Sequence, residues 1–327
     1  MKYVFISFYL CFTVLLPFAT TQAELTGEVI FGHPEHFDEL WMTHVEDPRT
    51  AHKIFSDPVE AIGKFSVQKG GSLLVFISFR GIVADIHLFD RMQPRRKTRN
   101  LTKGLFDGIS DVAISKNGDV AFTTALLDPP EARGIYLIPH RELQRNLPAA
   151  TLLKHVSASN VEWSPNGREI AYATVSEVFL LNPFTGKSLR VSRTGTVPAL
   201  SPNGQKIAVA HAFWPAPREN HLSILSLASL QPVAHIKVKD IPEDAVGWWG
   251  LSWSPDGQYL IYTIFTKNFQ SFQNTAVPIS GAPQERVFEK LPGGGVPEFD
   301  WTNTAYAVEP TDRITTLWGA LKTDDLK

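Results

Sequence analysis

Four times the chain sets down a short apolar strand, a turn of the form Ser-X-Asn/Asp-Gly, and a second apolar strand. The turns are Ser115-Lys116-Asn117-Gly118, Ser164-Pro165-Asn166-Gly167, Ser201-Pro202-Asn203-Gly204 and Ser254-Pro255-Asp256-Gly257. A strand-based unit that recurs every ~40–50 residues must stack or close radially to bury its faces, which points to a β-propeller. Pro presets φ, Asn or Asp bonds its own backbone, and Gly takes the left-handed exit that a side chain resists. These are turn residues and carry no catalytic chemistry.

Each unit continues with a third strand, as in Ala84–Asp90, Gly134–Ile138, Glu177–Leu181 and His221–Leu225, and a fourth, as in Thr98–Thr102 and Ser188–Ser192. Val67–Gly71 before Leu73–Ile77 has the same shape with a degraded turn. At the other end, Ala305–Val308 and Ile314–Trp318 read as a last hairpin, and Glu28–Phe31, Leu40–Thr43 and His52–Phe55 can complete its blade. The expectation is an all-β, six-bladed ring of four-stranded antiparallel blades, closed by joining N- and C-terminal strands. Seven blades is the alternative, with the N-terminal segment forming its own.

Residues 1–23 open with Met1-Lys2, run apolar from Tyr3 to Ala19 and end at Thr21-Gln22-Ala23, the pattern of a secretory signal peptide cleaved after Ala23. Residues 24–327 then form one propeller domain, exported to a periplasmic or extracellular space, with no stable membrane insertion once the signal is cut. The single cysteine, Cys11, lies in that leader, so no disulfide, Cys metal site or thiol nucleophile is expected in the rest. A formal charge of −2 argues against an electrostatic grip on nucleic acid.

Trp163-Ser-Pro-Asn-Gly and Trp253-Ser-Pro-Asp-Gly, together with Ala84-Asp-Ile-His-Leu-Phe-Asp90 running on to Arg99-Asn-Leu-Thr102, resemble the WD40-like repeat of TolB-type propellers. The resemblance spans most of the chain and implies the fold. It carries over no catalytic residue, because its shared positions are turns and packing. Neither the additional α/β domain of TolB nor the hydrolase domain of dipeptidyl-peptidase-like enzymes has a counterpart, and there is no Gly-x-Ser-x-Gly elbow.

Candidate ligand-binding residues lie in stretches between the repeats: His211, Phe213 and Trp214 after one second strand, Trp248 and Trp249 before the next innermost strand, and Phe265, Phe269 and Phe272 after its hairpin. Loop aromatics suit sugar rings, peptides or apolar protein surface, or else cap the gaps between blades. His33, Glu35, His36 and Asp38, with His44 and His52 nearby, offer metal-ligand chemistry, but His-x-x-His without a second defined pair is a weak pattern and reads better as surface or hydrogen-bonding histidines. Arg95–Arg99 reads as a solvated hairpin tip, and Asn100-Leu-Thr102 as a strand ending. No catalytic residue, metal ligand or cofactor is assigned. The expected function is binding of a protein or polysaccharide partner through loops on one face. The alternative is a carbohydrate-active lyase or hydrolase with a metal or acid–base site at the channel mouth.

Overall fold

The computed structural model describes residues 25–56, 60–93, 97–124, 132–211, 220–266, 271–291 and 295–302. Its 24 strands form six four-stranded antiparallel sheets. Blade 1 contains β1 (Ala61–Val67), β2 (Leu73–Arg80), β3 (Val83–Asp90) and β4 (Arg99–Asn100). Blade 2 contains β5 (Ile109–Ile114), β6 (Val120–Thr124), β7 (Gly134–Ile138) and β8 (Thr151–His155). Blade 3 contains β9 (Ser159–Trp163), β10 (Ile170–Ala173), β11 (Val178–Leu181) and β12 (Ser188–Ser192). Blade 4 contains β13 (Val197–Leu200), β14 (Lys206–Ala210), β15 (His221–Ser226) and β16 (Pro232–Lys237). Blade 5 contains β17 (Ala245–Trp253), β18 (Tyr259–Thr266), β19 (Phe272–Pro278) and β20 (Glu285–Val287).

Blade 6 joins the two ends of the chain. Its innermost strand, β21 (Phe299–Thr302), pairs antiparallel with β22 (Glu28–Gly32), which is followed outward by β23 (Glu39–His44) and β24 (Asp47–Ser56). The register sets Val29 opposite Trp301 and Phe31 opposite Phe299. Closure by the two ends and the count of six therefore hold, with one correction. Among the described residues the chain's end contributes the innermost strand, and Glu28–Gly32, assigned by sequence to an outer position, is the second. The Ala305–Trp318 hairpin lies outside the described residues. The fourth strand of blade 1 is also shorter than its sequence suggests, because Asn100 and Thr102 turn their side chains onto Asp85 and end the pairing.

Six apolar clusters fill the six gaps between neighbouring blades. Both faces of each middle strand are therefore buried, which explains why these strands read as continuous apolar runs. In Lys206–Ala210, Ile207 and Val209 pack toward blade 3 while Ala208 and Ala210 pack toward blade 5.

The repeated turns behave as their chemistry demands. Gly118, Gly167, Gly204 and Gly257 all have φ between +66 and +88°, and each donates its N–H to the carbonyl of the turn's serine. Every serine is buried, and its hydroxyl accepts N–H groups from across the turn, as Ser254 does from Gln258 and Tyr259. A Cβ at Gly257 would meet Pro202 of the preceding blade at 3.8 Å, an ordinary contact, so only its φ of +71° resists substitution. Gly257→Ala should lower unfolding stability by about 1–2 kcal/mol in urea titration. Trp301→Ala, which empties a side chain buried to 1% exposure in the closing blade, should cost about 3–5 kcal/mol.

Candidate functional site

Antiparallel winding sorts the connections onto two faces. The turns from first to second strand lie on one face, and the connections from second to third strand lie on the other with those that enter each innermost strand. On the turn face the first-to-second connections are uniform, since 68–72, 115–119, 164–169, 201–205 and 254–258 are nearly equal in length, while the third-to-fourth connections there run from 45–46 to 139–150. The loop face has no such uniform set. Its second-to-third connections range from 81–82 and 174–177 to 125–133 and 211–220.

A channel runs between these faces, and the innermost strands line it in two layers. Counting back from the first turn residue of each blade, the fourth position holds Lys64, Asp111, Asn160, Val197, Gly250 and Glu298. All six line a small cavity at the loop-face mouth. The second position holds Ser66, Ala113, Glu162, Ala199, Ser252 and Asp300. Four of these, Ser66, Glu162, Ser252 and Asp300, also line a cavity of about 310 Å³ that opens at the turn face.

Three of the second-position side chains tie their blade to the next. Asp300 Oδ2 accepts the Val67 N–H at 2.9 Å, Ser66 Oγ accepts that of Ile114 at 3.2 Å, and Glu162 Oε2 accepts that of Leu200 at 2.7 Å. In each case the donor is the last residue of the innermost strand of the following blade. Asp111, one layer up, accepts the Val161 N–H at 3.0 Å in the same direction. These edge N–H groups face the channel and have no strand beside them, so a side-chain acceptor is what satisfies them.

Electrostatics in the channel follow from burial. Lys64 Nζ lies 2.6 Å from Glu298 Oε2 and donates to the Trp249 carbonyl at 3.0 Å. Burial works against the ammonium, but Glu298 and Asp111 outweigh it and hold Lys64 charged. Burial also pushes the Asp111 carboxyl up, against Lys64 and its backbone donors. At Glu162 burial dominates the single backbone bond and pushes the carboxyl up to about 8. Lys69, whose charge acts on it, is held by Asp300 at 2.7 Å.

The aromatic group expected from sequence divides. Trp248 and Trp249 do not precede the innermost strand but lie inside it, because two register shifts let β17 run from Ala245 to Trp253. Successive residues of a strand point to opposite faces. Trp248 thus enters the gap between blades 4 and 5, where its indole donates to the His211 carbonyl at 2.8 Å and meets Tyr262 edge-on. Trp249 turns to the channel mouth. It packs edge-on against Phe265 and Phe272, and Lys64 Nζ sits 5.3 Å from its ring centroid. Phe213, Trp214 and Phe269 lie outside the described residues, as do Arg95 and Arg96.

His211 stands apart from this group, stacked on His221 at 4.2 Å, which in turn stacks on His235 at 4.1 Å. Burial first, then the two neighbouring imidazoles, lower it to about 4. Rings stacked face to face do not aim their nitrogens at one point. His33, buried between His36 and Trp41, accepts the backbone N–H groups of Glu35 and His36 on Nδ1. Among the described residues no group of three or more His, Cys, Asp or Glu side chains is placed to hold a metal ion.

The channel charges carried a sequence signal of their own: a lone charge between buried apolar neighbours in an innermost strand, as in Val161-Glu162-Trp163 and Phe299-Asp300-Trp301. An inward-facing position next to the channel accounts for it.

No protein-family model matches the chain, and no curated protein matches it in sequence. Among solved structures it is similar to TolB from Acinetobacter baumannii, at TM-score 0.63 and 17% identity over 85% of this chain and 67% of that one. A chain of the nidogen/laminin complex superposes at 0.62 and 9% identity, covering 84% and 97%. The β-propeller domain of Cps50 from Myceliophteria thermophila does so at 0.52 and 13%, covering 80% and 86%. At these identities the likeness is one of fold.

Two pH trends of opposite sign follow. His211 falls from an ordinary 6.5 to about 4, so its contribution to stability is intact above pH 6.5 and is lost as pH drops toward 4. His211→Gln should flatten the fall in Tm over that range. Glu162 rises from 4.5 to about 8, so its contribution is full below pH 4.5 and is lost as pH rises through 8. Glu162→Gln, which keeps an acceptor for Leu200, should melt above the wild type at pH 9 and no higher than it at pH 5.

Proposed function

We propose that this chain is an exported binding protein that presents the loop face of a rigid propeller to a protein partner. The observation that carries this is the inequality of the inner connections: the first-to-second turns on one face are near-identical, while the second-to-third connections on the other run from two to ten residues. Variable loops on a rigid frame are where recognition concentrates, and a preformed ring limits the ordering cost of binding. On the loop face, Phe37, Ile82 and Val175 stand 60%, 92% and 89% exposed on three different blades. Trp249, Phe265 and Phe272 add an aromatic wall beside the Lys64–Glu298 pair. The fold neighbours lend support in kind, since one of them was solved within a nidogen/laminin complex.

Export rests on the N-terminal pattern, and the secreted protein should begin at Glu24 on N-terminal sequencing. The carbohydrate-active reading draws on one observation, that Lys64, Asp111 and Glu298 converge on the channel from three blades. Their mutual pairing suits a structural role better.

Partner capture from envelope extract tests the proposal. Replacing Phe37, Ile82 and Val175 together with Asp should abolish capture, and Trp249→Ala should weaken it at least tenfold. Phe184→Asp, at an exposed site on the opposite face, should leave it unchanged. Equal capture by all variants, or cleavage of a polysaccharide panel by the wild type, would end this reading.

A further inference from the structure

The turn-face mouth differs in chemistry from the loop face. Its wall is apolar: Pro165, Pro202 and Pro255 from three successive turns form one side, and Trp253 and Trp301 stand deeper. At its depth lies one carboxyl group whose charge is not balanced. Glu162 Oε2 is taken by the Leu200 N–H, and among the described residues no cation forms an ion pair with Glu162. Asp300, the other carboxylate of the cavity, is neutralised by Lys69 and bound to Val67. Lys116 also lines the cavity but is exposed at its rim and can keep its ammonium in solvent.

An apolar collar leading to a single unbalanced carboxylate complements a flexible aliphatic stem tipped by a cation. We infer that the turn-face cavity is a binding site for a lysine- or arginine-type side chain, whose ammonium or guanidinium pairs with Glu162 while its methylenes lie against the prolines and tryptophans. The volume, about 310 Å³, falls at the lower end of the range for small-ligand pockets and accommodates such a side chain. This site is separate from the loop face and stands or falls independently of any partner bound there.

The upward displacement of the Glu162 carboxyl makes binding a proton-linked event. A cation pairs with the ionised form, so association below pH 8 must expel a proton, whereas a ligand lysine stays charged throughout. The groups facing Glu162 from neighbouring elements are Lys69, Lys116, Asp300 and Asp111. Of these the raised carboxyl of Asp111 could add its own pH dependence, which the Glu162→Gln variant separates.

The test uses two peptides, acetyl-Gly-Lys-Gly-amide and its norleucine counterpart, titrated into the full chain while the tryptophan indole N–H signals are followed by NMR. The lysine peptide should shift Trp253 and Trp301, leave Trp249 unmoved, and bind at least tenfold tighter than the norleucine peptide at pH 8. Its affinity should fall about tenfold or more from pH 8 to pH 6. Glu162→Gln should remove both the preference and the slope. Equal binding of the two peptides, no binding, shifts confined to Trp249, or an unchanged preference in Glu162→Gln would each overturn the assignment. The wild-type comparison of peptides needs no variant and holds even if Glu162→Gln fails to fold.

Discussion

The ladder between β21 and β22 is the interaction on which the rest of this molecule depends. Each blade buries both faces against its neighbours, so a ring of five and a half blades would leave two apolar faces and two strand edges exposed. Four residues from one end of the chain, Phe299–Thr302, pair with the strand Glu28–Gly32 from the other and remove all four liabilities together. The pairing is between residues more than 260 positions apart, and Trp301 anchors it by filling the gap between blades 5 and 6 and donating its indole N–H to the Thr26 carbonyl.

Once the ring is closed, its centre poses a second problem. Innermost strands have partners on only one side, and their other edge faces a narrow channel. The forward-pointing acceptors Asp300, Ser66, Glu162 and Asp111 answer it blade by blade. Carboxylates recruited for this purpose lie where water is scarce, which raises Asp111 and Glu162 and makes Lys64 and Lys69 necessary counterweights. Four carboxyl groups including Glu298 share the channel with these two lysines, and Lys116 stands at its turn-face rim. Among the described residues Glu162 is left without an ion-pair partner.

Much of this was legible in the residues. The four Ser-X-Asn/Asp-Gly turns announced four hairpins, and the degraded turn at Val67–Gly71 with the joined chain ends brought the count to six; serine, proline and glycine act only on their immediate neighbours, so a linear sequence suffices to read them. The candidate site was legible in part. Trp249, Phe265 and Phe272 do meet, but Trp248 belongs to a blade interface, because the bulges in β17 move both tryptophans from a presumed loop into a strand and alternation then separates them. His211 joined an unforeseen stack with His221 and His235. The channel layers were missed because their members are 40–50 residues apart and differ in type, from Ser66 to Glu162 to Asp300.

By itself the sequence determined what is local and periodic: strand, turn, strand, repeated until the ends must meet. Tertiary structure alone decided which polar groups converge. A channel is made of one or two residues from each of six blades, and their shared position exists only when the ring has closed and water has been displaced from its centre. Closure also decided the assignment of strands in the last blade, since an edge accepts whichever segment offers matching hydrogen bonds and an apolar face, wherever it stands in the chain.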